Sequence, residues 1–315
     1  MNKEHLKYLV KITLLVLVIS FVVDKAVFLI LNKLSDKVYS GQSIGKLNQY
    51  LKVKDSVDFI VYGSSRANHN IDPSIISKYS FNIGMDGAKI AYSSVLIQLL
   101  PADNAQTILL HIDPNYAFKQ NYDGGDVAAL VSKYNRDKDI KREIDKLGKN
   151  NSLQKFFWSL SYNGKVLGIL KNYLNPKDDY ARQLGYEPIV VTSMQREIFK
   201  NIINRGDVRD VESFCGTNYK MNDIYTRALS DIKMFCEANG KKLILFTSPK
   251  YEYPCTELNA RFKAQIEDQG FVYYDLTNFF NDNNKLDYWK DKTHLSHVGA
   301  QILSKAVKEL VEKDN

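Results

Sequence analysis

Five short apolar runs constrain this chain more than any other feature: VDFIVYG at 57–63, FNIGM at 81–85, TILLHID at 107–113, KLILFTS at 242–248 and FVYYDLT at 271–277. Each is too short for a core helix and is continuous rather than alternating, the pattern of a strand buried on both faces. Helix-like stretches lie between them at 88–100, 223–239 and 257–269, the last two closed by Gly240 and Gly270. Strand followed by helix, repeated, predicts an α/β fold: one parallel sheet with helices on both faces. The stretch 118–220 breaks the rhythm. It is rich in Lys, Asn and Tyr with helical patches such as 152–174, and reads as a mostly helical insertion after the third strand.

A second feature precedes the strands. Residues 8–23 read YLVKITLLVLVISFVV, apolar except for Lys11, and AVFLILNKL follows Asp24 and Lys25. The run is shorter than the roughly 20 residues that cross a bilayer, but Lys11, Asp24 and Lys25 can snorkel from its ends. A charge at mid-bilayer costs about 2.5 kcal/mol or more, so the span sits towards 8–23 with a juxtamembrane helical continuation. No small residues suited to a cleavage site follow the apolar core, so residues 1–34 are expected to be a retained anchor touching lipid through 8–31. Lys3, Lys7 and Lys11 precede the span and Lys25, Lys33 and Lys37 follow it. With the terminal amine on the inner side, the positive-inside rule slightly favours a cytoplasmic N terminus and an extracytoplasmic domain. Residues 35–56, polar and Lys/Ser/Gly-containing, read as a spacer.

Composition sets bounds on partners. With 43 Lys+Arg against 36 Asp+Glu the net charge is +7, spread along the chain with no clustered basic stripe, so a nucleic-acid partner is not expected. Cys215, Cys236 and Cys255 form no spaced framework and read as small core hydrophobes rather than a disulfide scaffold or zinc knuckle. No Gly-rich phosphate loop occurs, and no cofactor is called for.

In an open parallel sheet, ligands bind beyond the carboxyl ends of the strands. The first run ends in Gly63-Ser64-Ser65-Arg66, where a glycine turn lifts a hydroxyl to the sheet edge and a backbone N–H can hold an oxyanion; helix capping is the plainer role for such serines. Near the C terminus, Asp291-Lys292-Thr293-His294-Leu295 enters a final helix whose apolar residues Val298, Ile302, Ala306 and Leu310 recur on one face. Three residues let the Asp291 carboxylate fold back onto the Nδ1–H of His294, freeing Nε2 to take a proton from a serine.

Ser65 with Asp291-x-x-His294 resembles the SGNH/GDSL hydrolase superfamily. Its first block is similar to Gly63-Ser64-Ser65, with Ser64 in place of the usual aspartate, and its last to Asp291, His294 and Leu295. The resemblance implies a three-layer flavodoxin-like sheet over 57–315, Ser65 as nucleophile, His294 as general base and acid, and Asp291 as orienting carboxylate. It further implies oxyanion donors at Ser65 N–H, Gly87 and Asn115, with Pro114 replacing the small residue that usually precedes the asparagine. Behind an N-terminal anchor, the Gly-Ser-Ser block is similar to extracytoplasmic members that work beside polytopic membrane O-acyltransferases in teichoic-acid D-alanylation and alginate O-acetylation. The implied function is a membrane-tethered serine esterase or O-acyltransferase acting on acyl esters of cell-envelope glycans. Two alternatives stand beside it: a non-catalytic binding or scaffold subunit of such an acyltransferase, and a lipid or small-ester hydrolase.

Other residues have weaker claims. Arg66 is read as a clamp for an anionic substrate or a surface salt bridge. His69 is a competing base or a solvated loop histidine, and His111 a hydrogen-bonded interior residue. His294 and His297 with Asp291 lack a third metal ligand, so no metal site is expected. Phe156, Phe157, Trp158, Tyr162 and Tyr173 line either a sugar groove or a core, their helical spacing favouring core.

Overall fold

A computed structural model describes residues 3–176, 183–205, 215 and 218–313. In chain order the regular elements are helices α1 (Lys3–Ser35) and α2 (Leu47–Val53), strand β1 (Phe59–Tyr62), helices α3 (Ser65–Asn70) and α4 (Pro73–Ile76), strand β2 (Ser80–Asn82), helix α5 (Ile90–Ile97), strand β3 (Thr107–His111) and helix α6 (Pro114–Ala117). Helices α7 (Lys138–Lys146), α8 (Ser152–Phe156), α9 (Val166–Leu174), α10 (Ser193–Asn204) and α11 (Asp223–Ala238) follow, then strand β4 (Lys242–Thr247), helix α12 (Thr256–Asp268), strand β5 (Val272–Asp275) and helix α13 (His297–Lys313).

Two compact units divide the chain: Met1–Asn48 with Ala128–Asp178, and Gln49–Val127 with Asp179–Asn315. The second holds the sheet. All five apolar runs form strands, every pairing is parallel, and the order is β2-β1-β3-β4-β5, which is the flavodoxin-like order. Because successive side chains on a strand point to opposite faces, the runs of β1, β3 and β4 serve two cores, whereas at the edge strand β5 Val272 and Asp275 are exposed. Phe59, Val61, Leu109, Ile244 and Phe246 pack against Ala300, Leu303 and Val307 of α13. Ile60, Tyr62, Ile108, Leu110 and Leu245 face the other way and are likewise buried. On that side the Tyr62 and Tyr50 hydroxyls lie 3.0 Å apart, and Tyr50 donates to the Leu96 carbonyl. Residues apolar on both faces are why these runs are continuous rather than alternating.

The first unit is built on α1, a 33-residue helix with an 18-residue window of mean hydropathy 2.7, long and apolar enough to cross a membrane. Its C-terminal part packs Phe28 and Leu31 against Tyr162 and Ile169. Residues 35–56 are folded rather than an extended spacer: a one-turn π-helical segment at Gly41–Lys46 leads into α2, and Ile44, Leu47 and Tyr50 are buried. The expected insertion at 118–220 is shared between the units, and its residues 177–182, 206–214 and 216–217 lie outside the described residues. Of its aromatics, Tyr162 is buried as expected for core, whereas Phe156 and Tyr173 are 48 % and 40 % exposed.

The cysteines require a correction. Cys215 and Cys255 form a disulfide across 40 residues of sequence; only Cys236 is the buried free thiol expected, its burial pushing the thiol up to about 12. Sequence spacing was a poor guide because a crosslink needs Cα proximity, here 5.3 Å, which the fold alone supplies.

Candidate functional site

The carboxyl edge of the sheet gathers the expected residues. Gly63, immediately after β1, has φ +137°, and a Cβ there would lie 2.6 Å from the His111 Cβ, so only glycine makes this turn. Ser64 caps α3, accepting from the Arg66 N–H at 3.3 Å, and Ser65 becomes the first helical residue. Its own N–H therefore has no partner within the helix. Ser64 is thus the cap, and Ser65 is presented at the edge.

The His294 loop is held against α3 from several sides. Trp289 and Leu295 form an antiparallel bridge, and the Lys290 N–H donates to the His294 carbonyl at 3.0 Å, closing a tight turn around Asp291. Asn70, the last residue of α3, accepts from the Leu295 N–H at 3.0 Å and donates to the Ser248 hydroxyl at 2.7 Å. The Tyr251 N–H donates to the Lys292 carbonyl at 2.9 Å. These ties deliver the imidazole: His294 Nε2 is 2.8 Å from Ser65 Oγ, and Nδ1 is 3.0 Å from both oxygens of Asp291.

Asp291 is itself fixed by the backbone of its own turn. Its Oδ1 accepts from the Thr293 and His294 N–H groups, each at 2.9 Å, and from the Thr293 hydroxyl at 3.1 Å. Burial alone would raise its pKa, but the His294 hydrogen bond and these N–H donors outweigh that and hold the carboxyl well below its usual range. Ionised, it accepts from Nδ1–H and so holds that tautomer.

A cleft of about 290 Å³ opens beside Ser65 and is lined also by Gly87, Lys89, Asn115, Tyr116, Lys250 and His294. Gly87 has φ +77° with no atom near the position of a Cβ, so its requirement is conformational rather than steric. Asn115 follows Pro114 in α6, where Pro114 sets the helix start and Asp113 caps it through the Asn115 N–H at 3.2 Å. The Asn115 Oδ1 accepts from the Tyr253 hydroxyl at 2.8 Å, which leaves the Nδ2 hydrogens as the end of the amide able to donate.

Arg66 departs from one of its two expectations. It is buried rather than exposed, and its guanidinium is engaged by the Asp113 carboxylate, so it is not a surface salt bridge; it lines the cleft beside Ser65, and its Nη1 is a buried nitrogen without a hydrogen-bond partner among the described residues. Lys250 joins the same carboxylate at 3.3 Å and sits 3.8 Å from the Tyr253 ring centre. Burial disfavours the Asp113 charge, but Arg66 and Lys250 prevail and hold it far below the usual carboxylate range; burial brings Lys250 down to about 8. Asp113, Lys250 and Tyr253 were missed in the sequence, although Asp113 and Lys250 follow β3 and β4 at the edge where strand ends converge.

The other histidines are otherwise occupied. His69 is buried, with Nδ1 2.8 Å from the Glu187 carbonyl and Nε2 3.0 Å from Asp86, so it is not a solvated loop residue. Its ring lies 5.9 Å from that of His294. His111 is interior as expected, with Nδ1 3.3 Å from Ser64 Oγ, but Nε2 is a buried nitrogen without a partner among the described residues. His297 turns to the Tyr186 hydroxyl at 3.1 Å. Among the described residues no group of three or more His, Cys, Asp or Glu side chains could hold a metal ion. No protein-family model and no curated protein matches this chain.

Proposed function

We propose that the chain is a membrane-tethered serine esterase or O-acyltransferase of SGNH type, acting on acyl esters of cell-envelope glycans. The observation that carries this reading is the continuous hydrogen-bonded series Asp291–His294–Ser65 at the carboxyl edge of a parallel sheet. In the proposed reaction Ser65 Oγ attacks the ester carbonyl while His294 Nε2 accepts its proton, and Asp291 stabilises the imidazolium. The oxyanion is met by the N–H groups of Ser65 and Gly87 and the Asn115 amide. His294 then gives its proton to the departing alkoxide, leaving an ester on Ser65. A water or sugar hydroxyl, deprotonated by His294, attacks that ester and releases Ser65.

An outward-facing domain is supported by the Cys215–Cys255 disulfide, since such bonds persist in oxidising compartments. One apolar helix at the N terminus then provides the tether. The test is acetyl release from O-acetylated envelope polysaccharide, and acetyl transfer to it, by the full chain in detergent. Turnover that disappears in Ser65→Ala supports the reading. No turnover with any ester, together with co-purification of a polytopic membrane protein, favours the scaffold alternative, and preference for long acyl chains favours a lipid hydrolase.

A further inference from the structure

The first unit carries an apolar surface left uncovered among its described residues. Helix α9 buries Ile169 against α1 and turns Leu167, Leu170 and Leu174 outward, a spacing that places the three on one face. Leu167 is 83 % exposed and Leu174 77 %. Helix α8 adds Leu153 and Phe156, again exposed, with the exposed Lys155 between them and Lys171 on α9. Large apolar side chains grouped and exposed in this way mark an interaction surface.

The position of this surface names the occupant. The Phe156 ring lies 5.2 Å from Phe21, which belongs to the apolar run of α1. Lys25 stands 4.4 Å from the Phe21 ring and 4.2 Å from that of Trp158, the pairing of aromatic and cation found at a membrane boundary. Asp24 is buried and fully engaged, accepting from the Trp158 and Ser159 N–H groups at 2.8 and 2.9 Å and from the Ser159 hydroxyl at 2.6 Å. A carboxylate satisfied in this way can be held at the edge of the bilayer, where a bare one would be excluded. Beyond it, α1 continues outward-facing with Leu29 and Ile30, each 59 % exposed.

We propose that the outer face of α8 and α9 is a second membrane contact, lying in the interface of the bilayer that α1 crosses, with its leucines and Phe156 against acyl chains and Lys155 and Lys171 at the phosphates. The proposal rests on α1 being a membrane span. At Phe156 the surface adjoins a helix that must face lipid if it spans, and apolar residues punctuated by lysine suit an anionic interface. Two attachments at one boundary hold this unit in a fixed tilt where a single helix would allow it to swing.

Tryptophan depth measurement on the full chain tests this in phosphatidylcholine vesicles containing phosphatidylglycerol. Trp158→Phe leaves Trp289, which is buried, as background, and Leu15→Trp and Leu167→Trp are introduced separately. The same reporters in chains retaining Trp158, read by difference, serve if that replacement impairs folding. Lipids brominated in the acyl chains are expected to quench both reporters, and Leu167→Trp is expected to resist iodide. Quenching of Leu15→Trp with Leu167→Trp open to iodide refutes the second contact alone. Leu167→Trp shielded from both quenchers means that protein covers the surface, which also refutes it. Failure of bromolipid to quench Leu15→Trp overturns the span itself and the proposal with it.

Discussion

Replacing Asp291 by asparagine separates catalytic geometry from folding. The Thr293 and His294 N–H groups both point at Oδ1, so the asparagine carbonyl oxygen must occupy that position. Its NH2 then replaces Oδ2, 3.0 Å from His294 Nδ1. Oδ1, also 3.0 Å from Nδ1, already accepts from two N–H groups, so a donor facing Nδ1 favours the unprotonated nitrogen, which moves the imidazole proton to Nε2 and aims N–H at Ser65 Oγ, 2.8 Å away. The lone pair that should take the serine proton is gone. For a triad aspartate the loss of the correct tautomer costs about 10³–10⁴ in kcat, or roughly 4–5.5 kcal/mol of transition-state stabilisation. Folding should suffer far less, because the two bonds that hold the turn survive and the carboxylate is 40 % exposed; about 1 kcal/mol is expected. The assay pairs steady-state hydrolysis of an acetyl ester with urea unfolding of the same preparation. A folded Asp291→Asn protein with kcat/KM within tenfold of the wild type would remove Asp291 from the machinery and refute the tautomer argument.

Three further outcomes follow from the geometry. Tyr253→Phe frees the Asn115 amide to rotate, so kcat should fall by about tenfold to a hundredfold with KM little changed, consistent with weakening one oxyanion donor; equal kcat would exclude Asn115 as a donor. Gly63→Ala forces a Cβ to within 2.6 Å of the His111 Cβ at φ +137°, and should destabilise by about 3 kcal/mol or more, read as a fall in Tm. His69 is raised above its ordinary pKa because the Asp86 hydrogen bond outweighs the opposing effect of burial. Its contribution to stability is therefore complete below about pH 6.5 and disappears as pH rises through the higher folded value, so His69→Gln should be most destabilising in acid and converge on the wild type in alkali. A difference that grows with pH would contradict the Asp86 pairing.

The parts legible in the sequence were those encoded locally. Strands buried on both faces write themselves as apolar runs, and Gly63-Ser64-Ser65 and Asp291-x-x-His294 each sit in one loop whose spacing already limits what they can do. What the sequence left open depends on distant partners. The Arg66 guanidinium is engaged by Asp113, 47 positions away, and Asn115 is oriented by Tyr253, 138 positions away. The Cys215–Cys255 bond likewise has no periodic signature. The stretch 35–56 looked like a spacer because it is polar in composition, yet Lys46 and Asn48 are buried there, and Asn48 donates to the Ser35 and Val38 carbonyls. Polarity predicts exposure only when no partner is available to satisfy it. Of the aromatics at 156–173, Tyr162 is core as its helical spacing suggests, whereas Phe156 and Tyr173 stay exposed, because that spacing fixes a shared helix face and not what covers it.

The central claim is that Ser65 is a nucleophile activated by His294. Incubating the full chain with a fluorophosphonate and mapping the adduct by mass measurement tests it most directly. One phosphonyl group on Ser65, formed in the wild type, lost in Ser65→Ala and strongly slowed in His294→Ala, is the expected result; a folded wild-type chain that takes up no label, or labels equally in Ser65→Ala, would contradict it.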